Sequence, residues 1–402
     1  MKIVVLAGGA DQIALISELK SRGHYTVLVD YFDNPPAKRF ADKHIVASTL
    51  DVEAVTNIVK NEHADMVCTV CTDQALLTVA KVSEELSLPC YISYQTALKV
   101  TNKSYMKKVM AENQIPTSKY IVVDAYDDHL IDGFSFPLVV KPVDCNSSKA
   151  VTKVVDNQHV KTAVDNAIAS SRTNTAIVEE FVEGDEISAD FYIEGCRAKF
   201  LCATKSNKIR NTKSFTITQS FYPAVDERQE QELTDIAQKI AVAFNLCDCP
   251  LLVQLIVNER GFYVLEFSAR LGGGSKYKLI EVLSGVNIMK VNVERILGER
   301  PTVRPWKRVN FATMNYVYCN NGVFTGLQGI DALIDDGTIS AVFQYKTFGN
   351  IITKHETSGD RPIGFLVVAD DVATLNAKIR KADTNIKILD GNGDDMMIHN
   401  LY

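Results

Sequence analysis

Glu266 stands inside the apolar run Val264-Leu265-Glu266-Phe267, with Arg270 four residues on and Gly272-Gly273-Gly274 directly after. A carboxylate in an apolar strand is costly unless it is paired or metal-bound. A second polar side chain, Gln254, interrupts another apolar run, LLVQLIV, and the turn Asn258-Glu259-Arg260-Gly261 joins the two. Antiparallel strands joined in this way bring two inward-pointing oxygen ligands to one cation. Mg2+ suits such a pair, because it needs few protein oxygens and takes the rest from phosphates and water. The planar fork of Arg270 can grip a transferred phosphoryl group. On these residues alone, a buried Glu–Arg ion pair stands beside the metal reading.

Four further stretches offer groups to an anion or a base. Lys141 ends the apolar run FPLVVK, so its ammonium is partly desolvated and strengthened toward anions. The loop DCNSSKA, with Asn146, Ser147, Ser148 and Lys149, supplies N–H groups and hydroxyls for a flap over phosphates, or is a plain hairpin loop. Glu179, Glu180, Phe181 and Val182 leave a strand where one backbone donor and one acceptor can meet an adenine edge. Glu186 follows as an acceptor for ribose hydroxyls, and a surface acidic patch is the alternative. The glycine run precedes a helix, YKLIEVLSG, whose N-terminus with Ser275 and Lys276 suits an anion; a tight packing turn is the alternative.

These groups need elements to hold them. The first hundred residues alternate strand and helix, which implies a parallel doubly wound sheet. Thr72 and Asp73 follow its fourth strand, where open α/β sheets place ligands, or they cap the next helix. Gly8-Gly9 with Asp30 suggests a dinucleotide fingerprint, but the third glycine is missing, so a cofactor-free turn is expected. From Thr101 the chain reads as a lysine-rich helix capped by Thr101 or Asn102, then short strands, a helix near 160–169, and strands flanking Glu183-Gly184. Beyond Pro301 it becomes β-rich with one late helix. The fold class is therefore α/β and α+β, with an α/β domain over 1–100, a central domain over 101–300 containing a small subdomain at about 118–185, and a smaller α+β module over 301–402.

At 402 residues, two or three domains are expected. A net charge of −6 argues against non-specific nucleic-acid binding. No apolar run approaches the roughly 20 residues of a membrane span, and the opening IVVLAGG is too short for a secretory signal. Nine scattered cysteines fit a reducing cytoplasm rather than a disulfide framework. Cys68-x-x-Cys71 and Cys247-x-Cys249 read as buried structural thiols rather than halves of a zinc site.

Taken in order, Lys103 in TNKSYMKKVM, Lys141 in PLVVKP, Asn146 to Lys149, EEFVEGDEIS and VQLIV…YVLEFSARLGGG resemble the ATP-grasp superfamily over roughly residues 1–300. The resemblance implies a pre-ATP-grasp N-terminal domain and a central ATP-grasp fold. It implies that Lys103 and Lys141 contact ATP phosphates under the Asn146–Lys149 loop, with Glu179 to Val182 on adenine and Glu186 on ribose. Gln254 and Glu266 would hold Mg2+ (or Mn2+), and Arg270 would neutralise the γ-phosphate and an acyl phosphate. Two positions depart from the pattern: Gln254 stands where Glu is common, and Ser268 where Asn is common, which puts the Ser268 metal contact in question. The activity implied is that of an ADP-forming ligase joining a small carboxylate to an amine. The alternatives are a phosphoribosylglycinamide-synthetase-like ligase and a non-catalytic ATP-binding subunit. The resemblance is compatible with a homodimer. The polar, basic stretch Lys205 to Tyr222 reads as a lid with substrate contacts or as a surface loop.

Overall fold

The computed structural model describes residues 1–145, 150–209, 216–353 and 357–402. The chain opens with strands β1 (Lys2–Leu6), β2 (Tyr25–Asp30), β3 (Lys43–Val46) and β4 (Met66–Cys68), all parallel in the order β3-β2-β1-β4. Helix α1 (Ala10–Ser21) covers one face, where Leu15, Ile16 and Leu19 pack on Ile3, Val5 and Leu28. Helices α2 (Val52–Asn61) and α3 (Asp73–Leu86) cover the other, where Val55, Val59 and Val79 meet Val4, Val27 and Val29. Burial on both faces is why these strands read as unbroken apolar runs.

Helix α4 (Tyr94–Thr101) turns at Asn102 into α5 (Lys103–Glu112). Asn102 caps α5, its Oδ1 accepting the Ser104 and Tyr105 N–H groups. Strands β5 (Tyr120–Val123), β6 (Leu138–Pro142), β7 (Thr152–Val154) and β8 (Ala176–Glu180) form a separate antiparallel sheet, ordered β5-β8-β6-β7. Helix α6 (Val160–Ser170) closes its apolar face through Val160, Ala163, Val164 and Ala167.

The chain then enters a large sheet through β9 (Asp185–Glu194), β10 (Arg197–Lys208), β11 (Ile217–Tyr222), β12 (Cys249–Asn258), β13 (Gly261–Ser268) and β14 (Phe311–Tyr316). Its order is β13-β12-β9-β10-β11-β14, continued by the strands Ile363–Ala369 and Ala341–Gln344. Residues beyond 300 thus extend this sheet through the β11–β14 ladder, so the boundary placed at 300 crosses one continuous sheet. Helix α7 (Glu227–Ala243) packs Leu233, Ile236 and Ile240 against Ile187 and Phe191 on one face. Helix α8 (Lys276–Ser284) packs Leu279, Ile280 and Leu283 against Tyr192, Tyr222 and Met314 on the other. Among the described residues no helix is long and apolar enough to cross a membrane.

One sequence expectation is corrected. Cys196 and Cys247 are joined in a disulfide, with Cα atoms 4.3 Å apart. The tight β9–β10 turn at Gly195-Cys196 carries Cys196 to the loop before β12, a proximity that linear spacing conceals. Cys68 and Cys249 are buried free thiols, each pushed up to about 12 by burial.

Candidate functional site

The site is built where the small sheet, the large sheet and the carboxyl end of the parallel sheet meet. Lys103, the first residue of α5, donates from Nζ to the Cys145 carbonyl at 2.9 Å and pairs with Glu266 at 2.9 Å. Gln254 on β12 lies directly opposite Glu266 on β13, and opposite Ser188 on β9. The antiparallel register therefore sets Gln254 and Glu266 side by side on one face of the sheet. The Glu266 side chain remains 36% exposed. Burial alone would raise its carboxyl, but Lys103 and Lys141 outweigh that and hold it below the usual range.

Lys141 on β6 pairs with Glu179 on β8, and Glu179 is also held by Lys107 at 2.6 Å and by the Ser118 hydroxyl at 2.6 Å. Despite burial, the two ammonium groups keep Glu179 ionised well below ordinary carboxylates. Its side chain is thus spent inside the small sheet. At the exit of β8, the Phe181 N–H donates to the Pro137 carbonyl at 2.9 Å, whereas the Val182 N–H meets no main-chain carbonyl among the described residues. Glu180 accepts the Ser135 N–H at 3.0 Å, and Lys153 lies 3.5 Å from the Phe181 ring centroid. Glu186 pairs with Lys208 at 2.6 Å.

Arg270 does not point at solvent. Its Nε donates to Asp73 Oδ1 at 2.8 Å, a second bond joins Nη2 to Asp73 Oδ2, and Nη1 donates to the Leu271 carbonyl. Burial works to raise Asp73, but Arg270 and the Ser268 hydroxyl overcome it and hold the carboxyl low. Thr72 is the N-cap residue of α3, without a side-chain capping bond. Asp73 is therefore committed to Arg270.

The glycine run is occupied by the chain itself. Asp11, from α1, accepts the Gly274 and Ser275 N–H groups at 3.2 and 2.9 Å. Tyr316 donates to the Gly274 carbonyl at 3.2 Å, and Cys71 to that of Gly272. Gly273 is exposed and has Asp11 and Cys71 as its neighbours. Lys276 is buried in a pair with Asp190 at 2.7 Å and donates to Ser188 Oγ at 2.6 Å. Asp30, which a dinucleotide fold would offer to ribose, instead accepts the Gly8 N–H at 2.6 Å and the Phe32 N–H. Asn146, Ser147, Ser148 and Lys149 lie outside the described residues, as do Arg210 and Lys213 of the second candidate lid.

Sequence reasoning missed Lys107, Asp11 and Asp190. Lys107 lies one helical turn after Lys103 and so shares its face, and Asp190 is a mid-strand acid of the same kind as Glu266. Those two signals were readable. The pairing of Asp11 with Ser275, 264 residues away, carried none.

The donor set can be tested against a divalent cation. Gln254, Glu266 and Ser268 can each ligate through a side-chain oxygen, and among the described residues no group of three or more His, Cys, Asp or Glu forms a protein-only cage. That sparse set fits Mg2+ shared with phosphate oxygens.

Comparison with known proteins agrees with this architecture. Residues 101–274 match the family model described as phosphoribosylglycinamide synthetase, ATP-grasp (A) domain. The chain is 21% identical to a phosphoribosylamine–glycine ligase of Pyrococcus furiosus, covering 96% of this chain and 92% of that protein. It is 30% identical over 195 residues to a formate-dependent phosphoribosylglycinamide formyltransferase of Aliivibrio fischeri, a match that spans 46% of this chain and 49% of that one. An L-amino acid ligase from Bacillus licheniformis shares the fold with a TM-score of 0.80 at 20% identity, over 97% of this chain and 99% of that chain. Residues 101–274 thus resemble an ATP-grasp domain, and the whole chain shares the fold of solved ATP-grasp-type ligases such as the L-amino acid ligase.

Proposed function

We propose that this protein is an ADP-forming ligase that activates a small carboxylate with Mg-ATP and joins it to an amine. The observation that carries the reading is the clustering of three cation–carboxylate pairs, Lys103–Glu266, Lys141–Glu179 and Arg270–Asp73, where the sheets meet. Lys103 and Lys141 both act on Glu266, and Asp73 feels Lys103 as well as Arg270, so the pairs form one electrostatic unit. Charges so paired can be handed to a bound polyphosphate and its cation without leaving any of them bare.

In this reading Lys103 and Lys141 take the phosphates, the open Val182 N–H and its neighbouring carbonyl take the adenine edge, and Glu186 takes the ribose. Gln254 and Glu266, with Ser268 nearby, would hold Mg2+, which when bound neutralises phosphate charge. A substrate carboxylate oxygen attacks the γ-phosphorus, giving an acyl phosphate and ADP. The amine nitrogen then attacks the acyl carbon, inorganic phosphate leaves, and the nitrogen gives up a proton. The side chains position reactants and stabilise charge on the transferring oxygens, with Arg270 turning its fork to the phosphoryl group. The glycine run and Arg270 would seat the substrate carboxylate once Asp11 yields its N–H partners.

The test is an ADP-release screen with Mg2+ and ATP across pairs of small carboxylic acids and amines. Failure of the protein to bind ATP sinks the reading. A second reading, ligation of phosphoribosylamine to glycine, is favoured by the end-to-end similarity to the Pyrococcus furiosus ligase. That pair belongs in the same screen, and release of ADP with it alone would replace the broader reading.

A further inference from the structure

Helix α5 carries a second buried lysine, one turn beyond Lys103. Lys107 is 1% exposed, and its ammonium touches the Glu179 carboxylate and Thr117 Oγ1, both at 2.6 Å, and Ser118 Oγ at 3.1 Å. Lys141 pairs with the other Glu179 oxygen. One carboxylate thus answers two ammonium ions where little water reaches. For folding alone this is wasteful. A single pair would leave no net charge, whereas the second lysine adds a buried cation that must be desolvated. Burial and the neighbouring Lys141 in fact push the Lys107 ammonium below its ordinary range.

The two lysines differ in their anchoring. Lys141 sits near the end of β6, and its charge reaches Glu266. Lys107 is fixed from the other side. Thr117, which it contacts, donates to the Val264 carbonyl of β13 at 2.7 Å, and the Val264 N–H donates to the Pro116 carbonyl at 2.8 Å. Lys107 is tied to the large sheet and α5, while Glu179 and Lys141 belong to the small sheet.

We propose that Lys107 is the resident counter-ion of Glu179, keeping that carboxylate compensated when Lys141 turns to the triphosphate. Without Lys107, the departure of Lys141 would leave a buried carboxylate unpaired, so Lys141 would be detained on Glu179. Lys107 is then a positioning residue that acts through Lys141 and never touches the nucleotide. This inference rests on the assignment of Lys141 to ATP phosphates.

The experiment is calorimetric titration of Mg-ATP into the full chain. Lys141→Met tests the underlying assignment, and binding as tight as wild type would remove it, whatever Lys107 does. With that assignment standing, Lys107→Met is expected to weaken ATP binding by about tenfold or more. In a Glu179→Gln background, where no charge detains Lys141, adding Lys107→Met should change ATP affinity by less than about threefold. Wild-type affinity in Lys107→Met overturns the proposal. So does a loss of about tenfold or more when Lys107→Met is added to the Glu179→Gln background. The second comparison decides the matter even if Lys107→Met alone fails to fold, because the double variant removes both charges.

Discussion

Asp11 accepts the Ser275 N–H at 2.9 Å, so the first helix of the chain supplies the anion at the glycine run before helix α8. The Gly274 N–H is bound by the same carboxylate at 3.2 Å. Burial pushes the Asp11 carboxyl up to about 6 from its ordinary 3.8, against these two hydrogen bonds and the charges of Arg270 and Arg361. The anion seat is therefore filled by a group that is itself easily protonated.

A pH dependence of stability follows from that shift. The folded carboxyl binds its proton more tightly than the unfolded one, so stability from this group falls as pH rises from 3.8 to about 6 and is level above. Asp11→Asn removes the ionisation while keeping an oxygen acceptor. The melting temperature of the variant minus that of wild type should grow more positive across this window and then plateau. A difference that stays flat, or grows in the opposite direction, refutes the assignment.

Metal dependence supplies a second test. If Glu266 and Gln254 hold the cation, Glu266→Ala should cut ADP release by about a hundredfold or more, the scale of losing one electrostatic contact in a phosphoryl transfer site. The fold should survive, because the Glu266 side chain is 36% exposed and its main chain keeps its place in the β12–β13 ladder. Chelation of divalent cations should abolish release in wild type, and Mg2+ or Mn2+ should restore it. Undiminished activity in Glu266→Ala sinks the metal assignment.

The contrast between what was and was not legible in the sequence follows from chain distance. Unbroken apolar runs such as KIVVL and YTVLVD announce the parallel sheet, because burial on both faces leaves no polar alternation to interpret. The strands around Gln254 and Glu266 are legible for a related reason, since each has one polar residue where an apolar one is expected. What such a pattern does not disclose is the partner. Asp190 raises the same question as Glu266, yet its answer, Lys276, lies 86 residues downstream. Glu179 reads as the start of an adenine-facing strand exit, but the two lysines that bury it come from different elements. Cys196 and Cys247 stand 51 residues apart and become neighbours only through the β9–β10 turn.

Gly184 joins the two sheets, and its backbone leaves no room for a side chain. Its φ is +153°, and a Cβ there would stand 2.3 Å from the Val257 carbonyl oxygen. The Val257 carbonyl belongs to β12 and cannot withdraw. Gly184→Ala should therefore destabilise the fold by about 2 kcal/mol or more, measured by denaturant unfolding. Gly274→Ala makes a useful comparison, because its Cβ would meet the Tyr316 hydroxyl at 2.7 Å, a side chain that can be shortened. Tyr316→Phe should relieve part of the Gly274→Ala cost and none of the Gly184→Ala cost. Equal relief in both would contradict the backbone argument.

The Cys196–Cys247 bond offers a test that separates stability from chemistry. Cys196 is exposed in the β9–β10 turn, so a thiol reductant can reach it. From Glu186 to Glu194 strand β9 takes eight steps, roughly 26 Å at about 3.3 Å per residue, which sets the disulfide at the far end of the strand from the proposed ribose contact. Closing a loop between cysteines 51 positions apart restricts the unfolded chain, a stabilisation of about 2 to 4 kcal/mol. The turn retains a second tie, because the Gly195 N–H donates to Asp248 at 2.8 Å, so the native geometry should outlast reduction. Reduction, or paired substitution by Ser, should therefore lower the melting temperature by several degrees and leave ADP release per folded molecule unchanged. A melting temperature indifferent to reductant would show that the bond contributes no constraint. Loss of activity at an unchanged melting temperature would place the cysteines within reach of the chemistry, against the separation along β9.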